Sequence, residues 1–306
     1  MLGKRGWRAT VVTLGVLVAA RAQAQSTVTI NPVQDLNVHS PETWAMRFYT
    51  AMSQVTGFGA PPETRLFQFF ASVEGTNVPY LTERQRTVGF DGTKEENFNT
   101  THFFGRVSAG VGLPADFSLG LHWTPPVVIN GTKANLLAAT IARPIYSGYG
   151  LRVGLTAAGQ VGWAKGSFTC SQDEVDAGLN STANPFSCEE ASDDEVLMRY
   201  VSLELAASYK ILPLAGLEPF VSILGSRFWN KFEVNALYDN IQDNTQLVAN
   251  TWNGAFTAGL SLPIGHWMRF AAEFYYQPIQ VKRRDSTTNE NDPYYNARGL
   301  LEFHIP

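Results

Sequence analysis

The sequence predicts an all-β fold: one closed transmembrane antiparallel barrel of about ten strands, within a range of about eight to twelve, after a short helical segment. Three observations carry this. Apolar and polar residues alternate with period two in run after run from residue 64 onward, where a helix would need period 3.6. The connections between runs are short at one end and mostly long and polar at the other. Four of the seven tryptophans collect at the long-connection ends of the runs, all four on the apolar face.

Lys4, Arg5 and Arg8 precede an apolar stretch from Ala9 to Ala20, and Ala22-Gln23-Ala24 follows as a small-x-small cleavage site. A membrane-spanning helix needs roughly 20 apolar residues, so residues 1–24 read as a cleaved export signal. The mature chain would then begin at Gln25, and with no cysteine at the cut no lipid anchor is expected.

Residues 25–62 form an N-terminal segment of their own, expected on the same side as the short turns or plugging the barrel. Ser40-Pro41-Glu42 reads as an N-cap with proline at the first helical position. Trp44, Phe48 and Met52 then recur every four residues, and Gly57 and Gly59 follow. Such an amphipathic helix fits a lumen plug, a lid at the mouth, or a helix lying at the membrane interface.

Residues 63–306 make the barrel. The clear runs are 101–113, 116–124, 151–163, 197–209, 251–262, 268–277 and 295–305. In 268–277, for example, Met268, Phe270, Ala272, Phe274 and Tyr276 oppose Arg269, Glu273 and Gln277. The less regular runs 64–73, 132–143 and 217–229 complete ten. Residues 113–116, 143–150, 210–217 and 262–266 are short turns; 74–100, 164–196, 230–246 and 278–293 are long, and only 125–131 is brief at that end. Trp123, Trp163, Trp229 and Trp252, with Tyr276 and Tyr295, point outward by parity and form an interfacial girdle, where amphipathic rings sit at headgroup level.

In alternation, loop asymmetry and girdle, residues 64–306 resemble bacterial outer-membrane β-barrel proteins as a broad class. The resemblance is one of pattern; it implies the fold and a place in the cell outer membrane, but no activity. It also implies short periplasmic turns and long external loops, both termini on the periplasmic side, and as partners outer-membrane lipid, lipopolysaccharide and the assembly machinery. The chain departs from the class at its end, where Phe303-His304-Ile305-Pro306 displaces the usual terminal aromatic.

Parity turns Arg106, Arg152, Glu204, Arg269, Glu273, Arg298 and Glu302 inward. They either line a restricted aqueous path and set its selectivity, or interlock and close the lumen, since buried charges must be paired. Cys170 and Cys188 are expected to form a disulfide in an oxidising compartment, contributing on the order of 3 kcal/mol by closing a loop of about 18 residues. Around them Asp173, Glu174, Asp176, Glu189, Glu190, Asp193, Asp194 and Glu195 are weak cation candidates, for Ca²⁺, Mg²⁺ or ions bridging lipopolysaccharide phosphates. Their spacing matches no EF-hand, so no metal site is assigned, and a solvated, self-repelling loop is the simpler reading.

No catalytic set emerges. The histidines are His39, His102, His122, His266 and His304, and none lies in the four long connections. His102 and His122 stand roughly 17 Å apart by register. A net charge of -4 and a pI near 5.8 argue against nucleic-acid binding, and no cofactor is expected. The leading functional expectation is a narrow pore or carrier for small solutes. The alternatives are a structural or surface-contact barrel with a closed lumen and a stapled acidic loop, and a membrane-embedded hydrolase.

Overall fold

The computed structural model describes residues 27–212, 216–265 and 267–305. The export signal expected at residues 1–24 lies outside them, as does His266. Ten antiparallel strands close into a barrel. They are β1 (Phe69–Asn77), β2 (Phe103–Gly112), β3 (Ser118–Thr124), β4 (Thr132–Gly148), β5 (Leu151–Gly166), β6 (Asp194–Tyr209), β7 (Glu218–Glu233), β8 (Gln246–Ile264), β9 (Met268–Gln277) and β10 (Tyr294–Ile305). Each pairs with its neighbour in sequence, and β10 returns to β1 through Arg298↔Thr76 to Ile305↔Phe69. Closure leaves no sheet edge along most of the wall, as hydrocarbon requires of backbone polar groups.

Period two places every second side chain outward. On β8, Trp252 is 75% exposed while Thr251 and Asn253 are buried inside. The 16 residues of β5, β6 and β7 and the 19 of β8 exceed a membrane span of about 10 residues, so these strands rise past the bilayer as a collar for the loops. At the other end β4 turns into β5 through Tyr149 (φ 53°) and Gly150 (φ 80°), the positive pair that two-residue hairpins need.

The irregular runs have physical causes. Pro144 offers no N–H to the ladder, and the β4–β5 register skips at Ile145, between Val153↔Tyr146 and Gly154↔Pro144. The first strand starts at Phe69 rather than 64, because Phe67 N–H bonds the Gly112 carbonyl and Gln68 N–H the Arg65 carbonyl, folding 64–68 into a turn. It then runs on to Asn77, through Glu74 and Thr76, whose polar side chains face inward and disguise the strand as loop.

The N-terminal segment threads the barrel. Val28–Ile30 pairs in parallel with Ile241–Asp243, and Val33–Asp35 with Gln246–Val248, both at the long-loop end. The helix α1 (Pro41–Ser53) then descends inside the barrel, and 54–62 continue to the short-turn end, where Thr64 Oγ1 bonds the Phe117 carbonyl at 3.1 Å. The chain therefore enters by one mouth and leaves by the other. Residues 27–35 thus lie at the end opposite the short turns, and residues 41–62 occupy the lumen.

Above the wall the loops fold together. The Cys170–Cys188 disulfide spans a Cα–Cα distance of 5.7 Å. Asp194, fully buried, accepts from the N–H groups of Phe168 (3.0 Å), Thr169 (2.7 Å) and Asn235 (2.9 Å). Buried Lys94 joins Glu96 at 3.3 Å and Glu174 at 3.4 Å. The acidic segment is thus partly built into a cap rather than wholly solvated. Its carboxylates do not converge: among the described residues no three of His, Cys, Asp or Glu gather as a metal site would require.

Candidate functional site

Three features share the interior: a plug, a cavity at the long-loop mouth, and a gap in the wall. Ser40 caps α1 by accepting from Thr43 N–H, and Pro41 opens its first turn. Trp44 and Phe48 pack among Phe98 and Tyr294, and Trp44 Nε1 donates to the Asp292 carbonyl at 2.9 Å. The opposite face is polar and meets polar wall: Arg47 Nε donates to Asn253 Oδ1 at 2.7 Å, and Thr50 Oγ1 to Asn230 Oδ1 at 2.9 Å. This two-sidedness suits a helix in a barrel whose inner surface is itself mixed.

The last turn of α1 carries no basic residue. The wall supplies the missing positive charge: Arg298 donates to the carbonyls of Ala51 (2.9 Å) and Gln54 (2.6 Å), and Arg106 to that of Ser53 (2.8 Å). These groups satisfy helix-end carbonyls and complement the helix dipole. Below, Gly57 N–H bonds Glu204 at 2.7 Å, Thr56 Oγ1 bonds Glu273 at 2.5 Å, and Arg269 donates to the Phe58 carbonyl at 3.2 Å. Arg152 reaches the Ala60 carbonyl at 3.2 Å. At Gly59 (φ 105°) a Cβ would stand 2.9 Å from Ser208 Oγ, so the segment passes here against the wall itself.

Of the seven residues expected inside, six find acidic or basic partners. Antiparallel register sets Arg269 opposite Glu302 and Glu273 opposite Arg298, at 3.0 and 3.7 Å. Arg106 pairs with Glu74 at 3.2 Å and Arg152 with Glu218 at 2.7 Å. Glu204 holds the plug backbone instead. Glu74 and Glu218 escaped the sequence reading because each lies near the ragged start or upper half of an irregular strand; cross-strand register would have found them. Gln54 and Tyr275, which bond each other at 2.6 Å, carried no sequence signal at all.

A cavity of about 350 Å³ lies at the long-loop mouth, between the start of α1 and the loops. Tyr49, Phe90, Phe98, Phe168, Phe232 and Tyr238 supply its aromatic walls. Burial pushes the Glu42 carboxyl there above the usual carboxylate range, and Glu96 well above it.

A second cavity, about 330 Å³, takes its lining from both faces of the wall: interior Phe48, Met52 and Met198, and outward Val73, Phe103 and Val107. Its cause is local. β3 stops at Thr124 because Pro125 and Pro126 cannot donate to a ladder. Residues 103–106 of β2 therefore pair with β1 only. Below, the gap is framed by the Val107↔Trp123 pair; above, by Thr100 Oγ1 against Thr132 Oγ1 and by Asn130 Nδ2 donating to the Thr100 carbonyl, each at 3.0 Å. The gap therefore opens on the long-loop side of Trp123, at the level of the interfacial ring. Tyr49 and Phe98 line both cavities and stand between them.

Outside, Trp123, Trp229, Trp252 and Tyr295 are exposed, Tyr276 is at the margin of exposure, and Trp163 is half-buried beneath Lys133 and Lys165, each 5.7 Å from its ring. The closed ten-stranded wall with its outward apolar band defines a β-barrel of the bacterial outer-membrane class. No protein-family model matches the chain, and no curated protein matches it in sequence. Among solved structures, it is similar to the translocator domain of the autotransporter NalP from Neisseria meningitidis, at 12% identity and a TM-score of 0.40, covering 88% of this chain and 99% of that one. The outer membrane protease OmpT from Escherichia coli follows at 11% and 0.33, covering 78% and 92%. The toluene transporter TodX of Pseudomonas putida stands at 11% and 0.33, covering 90% and 78%. Likenesses this loose carry no argument about activity.

Proposed function

We propose that this chain is an outer-membrane carrier for small molecules with apolar bodies, captured at the outer mouth and released sideways through the wall. Its residence in the outer membrane, among lipid and lipopolysaccharide after export and assembly, is part of the same reading. The observation that carries it is the framed gap at Trp123, at the level of the interfacial ring, lined by interior and outward-facing side chains together. An axial route is filled by residues 41–62, so a molecule leaving the mouth cavity meets the Tyr49–Phe98 partition and then the gap. Both cavities are of the size that small ligands occupy, roughly 300 Å³ upward.

The test is uptake of a small fluorescent hydrocarbon probe by cells or proteoliposomes bearing the protein. Gly105→Trp, on the outer face of β2 at the gap, should suppress uptake, whereas the folded barrel persists by heat-modifiable migration. Uptake unchanged in that variant would sink the lateral route. The second reading, a closed structural barrel, draws support from the plug's ion network; it predicts no uptake by either form.

A further inference from the structure

Building on the capture reading, we infer that the mouth cavity recognises a cationic head, an amine or quaternary ammonium group, on an apolar body. The charged side chains lining it are Glu42, Asp91, Glu96 and Asp243; among the described residues no lysine, arginine or histidine lines it. Two of these carboxylates are already matched. Glu96 has Lys94 at 3.3 Å, and Asp243 accepts from Thr245 N–H and from the Tyr238 hydroxyl, each at 2.8 Å. Asp91 is exposed to solvent.

Glu42 differs. It is 8% exposed, its Oε1 accepts from Asp91 N–H at 2.8 Å, and its buried Oε2 has no hydrogen-bond partner. A buried carboxylate oxygen without a donor is costly. It becomes favourable when a cation arrives. Six aromatic side chains surround the same space, and aromatic faces attract cations, above all alkylated ammonium groups whose hydration is weak. A hard divalent ion would want six to eight oxygen ligands, which these apolar walls do not offer. An acidic wall likewise disfavours an anionic head.

The experiment uses the full mature chain in detergent or nanodiscs, with two isosteric probes, benzyltrimethylammonium and neopentylbenzene, titrated calorimetrically. The cation should bind more tightly than its neutral isostere, and Glu42→Gln should weaken only the cation, by about 10- to 100-fold. Glutamine keeps an acceptor for Asp91 N–H, so the loop geometry is preserved; Phe90→Leu, which removes one exposed ring, should weaken the cation by a smaller factor. Equal affinity for both probes, or no change on Glu42→Gln, overturns the cation assignment while leaving the capture site standing. Binding of neither probe overturns both.

Discussion

The Tyr49 hydroxyl donates to the Phe98 main-chain carbonyl at 2.6 Å, and the two rings, 5.9 Å apart, form the wall common to both cavities. One residue belongs to the plug and the other to the loop between β1 and β2. A contact between separate elements, held by one hydrogen bond and one tilted ring contact, is what a gate needs. Tyr49→Ala should join the cavities and raise probe uptake several-fold, whereas Tyr49→Phe should keep the partition and cost about 1–3 kcal/mol for the orphaned carbonyl. Uptake rates indistinguishable from the native protein in Tyr49→Ala would remove the partition from the proposed route.

Wall arginines hold the plug at its helix C-terminus. Arg298→Gln strips donors from Ala51 and Gln54 and leaves Glu273 buried beside no cation. Breaking a buried pair on one side costs about 3–5 kcal/mol. The expected outcome is transient axial conductance in planar bilayers and faster proteolysis of residues 41–62, with the barrel intact. A silent channel as resistant as the native one would show that the arginine is not the anchor.

Reduction should loosen the mouth without opening the wall. Cys170 and Cys188 close an 18-residue span of loop, worth about 3 kcal/mol by the loop-entropy relation. The cap carrying Phe168 and Asp194 should therefore exchange amide hydrogens faster after reductant, while strands β7–β10 keep their protection. Equal protection in both redox states would mean that packing alone holds the cap.

Threading places the two ends of the segment at opposite mouths. Val33→Cys, at a site 65% exposed, should react with a membrane-impermeant maleimide on whole cells; Leu212→Cys, 74% exposed in a short turn, should not. The reverse labelling pattern would invert the molecule in the membrane.

The acidity of the mouth has a definite sign. Burial raises Glu42 above 4.5, with the charge of Asp91 adding to it, so the folded chain binds protons more readily than the unfolded one. Stability from this group is present below the ordinary carboxylate range and is lost as pH rises through the raised value. A cationic ligand reverses the preference, so benzyltrimethylammonium affinity should increase with pH across that window and lie flatter in Glu42→Gln. Asp91, Glu96, Asp243, Tyr49 and Tyr238 also line the space; Glu96, likewise raised by burial, leaves a residual slope. A native profile as flat as the variant's would remove Glu42 from recognition.

The ten strands, their faces and the disulfide were legible in the sequence, because a wall between lipid and a filled lumen forces alternation on every strand, and two cysteines in one loop of such a barrel have one default chemistry. The seven inward residues from Arg106 to Glu302 could be named from parity alone. Their partners could not, since Arg269 meets Glu302 only through the register of β9 against β10.

Local pattern thus determined the barrel and which side of it each residue faces. Tertiary structure alone decided that residues 41–62 fill the lumen from the long-loop mouth, that interior Phe48 and Met198 line the wall gap, and that Glu42 shares a cavity with six aromatic rings. Those relationships join residues tens to hundreds of positions apart. They rest on burial and hydrogen bonding between elements, which no period along the chain records.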